Sequence, residues 1–204
     1  MKNLMIFDWG ILNMNSMLVA VRDLLQRHYR SYFEELREIA YDSANGEYPC
    51  HLKNRMYNFD RMAGDVYGLA QELMPCTPDA LYVSDRVYFI EFKNGKLDTA
   101  DKKRNLRLKF AEGPYVVLPK LCRMAGIVVD KGRFSEMPKV AVVIYNNLKN
   151  PSETLQMRYS SRFQLDEYNY TLFEEVYAFS FSQFERLVRD GRQPFRFLSE
   201  TLKP

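Results

Sequence analysis

PDALYVSDRVYFIEFK, residues 78–93, holds two short runs of β-branched and aromatic residues on either side of Ser84-Asp85-Arg86. Two such runs joined by a short polar loop predict a β-hairpin. A three-residue loop pairs Val83 with Val87, Leu81 with Phe89 and, at the open end, Asp79 with Glu91. Directly opposed residues have Cβ atoms about 4.5–5.5 Å apart on one face of a sheet. Lys93 lies two residues beyond Glu91 and so points to the same face. A one-residue slip would hand Asp79 another partner, so the register rests on the length of the loop.

Outward from the hairpin, helical and extended patterns alternate. Leu18, Val21, Leu25, Tyr29, Tyr32, Leu36 and Ile39 recur at three- and four-residue steps and predict an amphipathic helix over 16–41. Turn-forming residues 43–49 stop it. A shorter helix is expected from Asp60, as its N-cap, to Met74, with Met62, Val66, Leu69 and Leu73 on one face. Pro75 and Pro78 then enforce an extended entry to the hairpin. After it, residues 94–101 break the strand and offer Asp98 or Thr99 to cap a basic helix over 100–112. Residues 115–129 predict a further helix interrupted near Pro119. The nearly all-apolar run 139–146 reads as a buried central strand. A strand over 176–181 and a capped helix over 182–191, ending at Gly191, complete the pattern. No repeat or linker divides the chain. The expectation is one α/β domain over 1–204, with 1–59 a helical N-terminal extension and 60–204 the core.

Two carboxylates held as close as Asp79 and Glu91 repel unless positive charge lies between them. A hard divalent cation such as Mg²⁺ takes oxygen ligands, keeps several waters and accepts phosphate oxygens. Lys93 is then placed to orient or deprotonate a water, or to neutralise charge developing on a phosphate. Between residues 93 and 109, seven Lys or Arg stand against two Asp. Lys96, Lys102, Lys103, Arg104 and Arg107 are the candidate phosphate-backbone contacts of such a cationic surface. Lys103 and Arg107 share a helix face, whereas Leu106 and Phe110 mark another, apolar one.

Pro78-Asp79 followed, after eleven intervening residues, by Glu91-Phe92-Lys93 resembles the signature of the PD-(D/E)XK nuclease superfamily. The resemblance covers about residues 60–146. It implies a restriction-endonuclease-like αβββαβ core, a mixed central sheet flanked by helices, with the Asp and the ExK motif on neighbouring strands. It also implies Mg²⁺ or Mn²⁺ as cofactor, held by Asp79 and Glu91, and a basic or polar residue from the helix after ExK. The family has a strand before the motif Asp, and no run before Asp79 reads as one. An acid on the first helix stays open between Asp65, Glu72, Glu35 and Glu38.

The rest of the chain narrows the alternatives. With 47% hydrophobic and 27% charged residues, the composition is that of a soluble globular protein. A net charge of +3 does not by itself demand a polyanionic partner. Cys50, Cys76 and Cys122 are odd in number and lack CxxC pairing, which argues against disulfides or structural zinc and suits a reducing cytoplasm. No signal peptide and no apolar run of roughly 18 residues is read, so no membrane partner is expected. His28 and His51 lack ligand spacing, Ser160, Ser161 and Ser180 lack a GxSxG setting, and no phosphate-cradling glycine loop occurs. The expected function is phosphodiester hydrolysis of nucleic acid, DNA favoured over RNA, by a possible homodimer. A catalytically inactive nucleic-acid-binding or assembly module on the same scaffold is the alternative.

Overall fold

A computed structural model describes residues 5–68, 73–151 and 163–200, with side chains for residues 16–199 of these. Six strands form one mixed sheet in the order β1-β2-β3-β4-β5-β6: β1 Phe33–Glu35, β2 Arg55–Asn58, β3 Ala80–Val83, β4 Val87–Lys93, β5 Lys139–Tyr145 and β6 Glu175–Ser180. The first four strands pair antiparallel, and β4, β5 and β6 run parallel. All seven residues of β5 are buried, as a parallel strand covered on both faces requires.

The hairpin forms in the expected register, with Val83 opposite Val87, Leu81 opposite Phe89 and Ala80 opposite Ile90; the ladder ends there, one residue short of the expected Asp79–Glu91 pair. Alternation along β4 then divides the core in two. Val87 and Phe89 join a larger cluster with helices α1 (Met5–His28), α3 (Phe59–Tyr67), α4 (Ala100–Glu112), α5 (Leu118–Met124) and α6 (Lys131–Glu136). Tyr88, Ile90 and Phe92 join a smaller cluster with α2 (Leu36–Ile39), α7 (Phe181–Arg189) and α8 (Arg196–Glu200). Helices therefore cover both faces of the sheet, which is the expected coarse class. No helix among the described residues is long and apolar enough to cross a membrane.

Several boundaries differ from the sequence reading, each for a packing reason. The helix expected over 16–41 breaks after α1; a 3₁₀ turn (Arg30–Tyr32), β1 and α2 follow. Phe33–Glu35 pair with Tyr57–Arg55 at the sheet edge, so strand pairing overrides the helical spacing of Tyr29, Tyr32 and Leu36. Residues 1–59 are thus not a purely helical extension, because they supply two strands. One of them, β2, is the strand before Asp79 that the sequence did not reveal; it pairs through Tyr57 with Leu81 and through Asn58 with Ala80. Helix α3 is capped by Asn58, whose side chain accepts the Arg61 N–H, rather than by Asp60. It ends at Tyr67, before Gly68 at φ +56°, short of the expected Met74. Leu69 and Glu72 lie outside the described residues, as do Ser160 and Ser161. Pro119 does not interrupt a helix: a π turn over Gly113–Val117 leads into α5, where the proline sits in the first turn. Helix α4 keeps its expected bounds, with Thr99 as the cap accepting the Lys102 N–H.

Candidate active site

Asp79 stands at the entry to β3, where its backbone carbonyl accepts the Phe59 N–H at 2.9 Å. Its carboxylate turns across the hairpin, and Oδ2 accepts the Phe92 N–H at 2.6 Å. Glu91 continues the row of Val87 and Phe89, so the alternation of β4 places a carboxylate on an apolar face, with no exposure to solvent. Lys93, two residues on, is partly exposed and brings Nζ to 2.6 Å from Glu91 Oε1. The three residues predicted from the hairpin do converge.

A fourth group completes the cluster. Lys109 descends from α4, and its Nζ donates to Asp79 Oδ1 at 3.2 Å and to Glu91 Oε2 at 3.0 Å. The same nitrogen lies 2.7 Å from Glu91 Oε1. Although both ammonium groups approach Oε1 this closely, neither is aligned for a hydrogen bond, and that buried oxygen has no hydrogen-bond partner among the described residues. The contacts are therefore electrostatic. In the sequence Lys109 counted only as part of the basic run. The usable signal was its place three residues past Leu106 and one before Phe110, both buried, which turns it toward the sheet.

The charges tune one another. Burial pushes the Glu91 carboxyl up to about 7, the neighbouring Asp79 charge adds to the rise, and Lys109 and Lys93 pull it back. Burial opposes the charge on Lys109, but Asp79 and Glu91 outweigh it and hold the ammonium above the ordinary lysine range. Asp60 also acts on Lys109; its Oδ1 accepts the Thr77 hydroxyl at 2.6 Å. The four acids left open by sequence do not join the cluster where they are described. Asp65 accepts the Tyr32 hydroxyl at 2.6 Å, Glu38 pairs with Arg37 at 2.9 Å, and Glu35 lies in the edge strand opposite Arg55.

Asp79 and Lys93 open into a cleft of about 520 Å³ that Lys96 and Lys102 also line. Lys102 and Asn105, at i and i+3 on α4, both line the cleft, and Lys109 at i+7 lies on the same face of the helix. Lys103, Arg104 and Arg107 do not line the cleft. Arg107 instead donates to Gln164 Oε1 at 2.6 Å. The opposite wall is the Asp42–Asn45 turn. Asn94 ties it to the end of β4 by donating to Asp42 Oδ2 at 2.8 Å and Glu47 Oε2 at 2.7 Å.

Among the described residues no group of three or more His, Cys, Asp or Glu could hold a metal ion. The donors present nevertheless suit a hard cation: two carboxylates, one with a buried oxygen lacking a hydrogen bond, and only oxygen among the ligand atoms. The Lys109 ammonium lies between them and would have to withdraw.

Gly113 sets how close the end of α4 comes to the Asp79 strand. A Cβ there would stand 2.5 Å from Cδ of Pro78 and 3.1 Å from Cε1 of Phe59. A proline ring cannot rotate away. Gly113→Ala is expected to destabilise the protein by about 1–3 kcal/mol, the usual cost of overpacking, read as a lower urea midpoint. An unchanged midpoint would mean that the Pro78 segment moves freely.

No family model, curated protein or solved structure matches this chain.

Proposed function

We propose that the protein is a metal-dependent nuclease of the PD-(D/E)XK type, acting on nucleic acid and on DNA in preference to RNA. The observation that carries this reading is the meeting of Asp79, Lys93 and the buried Glu91, the first two of which line a lysine-lined cleft. The topology supports the finer, restriction-endonuclease-like reading of the fold. Strands β2, β3 and β4 form an antiparallel run, α4 follows, and β5 lies parallel to β4. The basic residue that the resemblance asks of the helix after ExK is Lys109.

In this reading Asp79 and Glu91 hold Mg²⁺ or Mn²⁺. The bound ion would lower the pKa of a water and stabilise charge on the scissile phosphate. Lys93, at the cleft wall, positions the water or neutralises that charge. Lys96 and Lys102 take neighbouring backbone phosphates. Lys109 neutralises the two carboxylates, in the place that the cation would take.

One observation favours the alternative, a nucleic-acid-binding module without turnover. Lys109 bridges both carboxylates, and among the described residues no third His, Cys, Asp or Glu joins them as a ligand. Incubation with linear, circular and single-stranded DNA and with RNA, across Mg²⁺ and Mn²⁺, separates the two. Metal-dependent cleavage is expected, falling by roughly 10²-fold or more in Lys93→Ala, the usual scale of a lost acid–base or positioning group. Salt-dependent binding without cleavage of any substrate would establish the binding module instead.

A further inference from the structure

A second cleft, of about 1060 Å³, opens at the other end of β3. Its cause is a splayed ladder. Strands β2 and β3 pair at Tyr57–Leu81 and Asn58–Ala80, and the pairing does not continue to Met56 and Arg55. The gap between Arg55 and Val83 is walled by α1, the Arg30–Tyr32 turn and Phe197 of α8. Asp79 and Val83 are separated by roughly 13 Å at about 3.3 Å per strand residue, so this cleft is distinct from the carboxylate cluster.

Three arginines line it against one acid. Arg22 donates to the Ser84 carbonyl at 2.6 Å. Arg55 donates to the Phe33 carbonyl and lies 5.2 Å over the Phe33 ring. Arg30 is exposed. Among the described residues none of the three has a carboxylate within ion-pair distance. The one acid, Asp85, lies 3.8 Å from the Arg86 guanidinium, and its Oδ1 accepts the Ser84 hydroxyl at 2.7 Å and the Tyr88 hydroxyl at 3.2 Å. Among the described residues three guanidinium groups against one carboxylate leave the recess positively charged, and guanidinium groups match phosphate oxygens in pairs.

Aromatic pairs flank these cations. Tyr82 stacks on Phe197, with centroids 4.7 Å apart and planes 15° from parallel. Phe33 and Tyr57 meet at 4.9 Å. Tyr82, Phe197 and Phe33 are only partly buried, so ring surface faces the recess. Aromatic faces accept any nucleobase, whatever its edge pattern. The volume lies just above the roughly 300–1,000 Å³ of small-ligand sites.

We propose that this cleft binds a nucleotide unit, with its phosphate on Arg30 and Arg55 and its base stacked against the Tyr82–Phe197 pair. The assignment is independent of the catalytic reading of Asp79, Glu91 and Lys93. The unit has two possible sources, a free nucleotide or the end of a nucleic-acid strand. Isothermal titration of the full chain with AMP, with a 5′-phosphorylated thymidine trinucleotide and with inorganic phosphate tests it. AMP or the trinucleotide is expected to bind more tightly than phosphate alone. Affinity should fall by about tenfold or more in Arg30→Gln, the scale of one hydrogen bond to a charged group. Phe197→Leu should weaken the nucleotides and leave phosphate unchanged; because Arg30 is exposed, the first variant carries the test if the second fails to fold. Tighter binding of the trinucleotide identifies a strand as the source, and equal binding a free nucleotide. Failure of both to bind at millimolar concentration overturns the proposal, as does affinity unchanged in Arg30→Gln or phosphate binding as tightly as AMP. Binding lost in Asp79→Asn would place the nucleotide at the carboxylate cluster and also overturn it.

Discussion

Asp79→Asn is expected to lower metal-dependent cleavage by at least about 10³-fold, beyond the roughly 10–100-fold lost with an outer partner of a metal ligand. The substitution keeps the shape of the side chain and one oxygen to accept the Phe92 N–H, now accepted at 2.6 Å by Oδ2. It removes the negative charge and sets an amide N–H₂ toward the Lys109 ammonium, which now donates to Oδ1 at 3.2 Å. Two donors then face each other, so a stability loss of about 1–2 kcal/mol accompanies the loss of activity. Far-ultraviolet circular dichroism should remain that of the parent, and the heat of Mg²⁺ binding should disappear. Cleavage at the parental rate would remove Asp79 from the mechanism.

Glu91→Gln should end cleavage as well, yet make the protein more stable near pH 8. In the folded protein the carboxyl is pushed up to about 7 from an ordinary 4.5, first by burial and then by Asp79. Between roughly pH 4.5 and 7 the folded chain therefore keeps a proton that the unfolded chain has released. The stability contributed by this group is present in full below about pH 4.5 and is lost as pH rises through about 7. Glutamine imitates the protonated form and escapes that loss. Each tenfold change in the protonation equilibrium corresponds to about 1.36 kcal/mol. The rise to about 7 already includes the pull of Lys93 and Lys109, and the expected gain at pH 8 is about 1–3 kcal/mol. The gain should vanish below about pH 4.5, read as converging urea midpoints. Added Mg²⁺ should raise the midpoint of the parent and leave that of the variant unchanged. A variant less stable than the parent at pH 8 would show that the two ammonium groups outweigh the cost of burying the carboxylate.

The candidate site was legible because its first three residues obey local rules. A three-residue loop and a period of two place Asp79, Glu91 and Lys93 on one face, whatever else the chain does. Lys109 was not assigned because its role depends on how α4 lies across β4, which a basic run does not encode. Asp60 fits a helix cap by residue type, but Asn58 takes that place and leaves Asp60 free to reach Thr77. The basic helix was visible as a whole. Which of its cations face the cleft was not, since Lys102 and Lys103 differ by about 100° around the axis.

Local pattern therefore sufficed for the hairpin, its register, the bounds of α4 and the buried strand β5. Each depends on neighbours in sequence: a turn, a cap, or an unbroken apolar run. Strands β1 and β2, three and four residues long, needed the packed molecule, because no short turn joins either of them to a strand it pairs with. So short an extended segment has no stability of its own and acquires strand geometry by pairing with an edge already formed. Packing alone also decided the setting of Lys109 between two carboxylates, the closeness that Gly113 permits, and the arginine-lined gap where β2 and β3 part. These features join residues far apart in the chain, and no local propensity carries the distance between them.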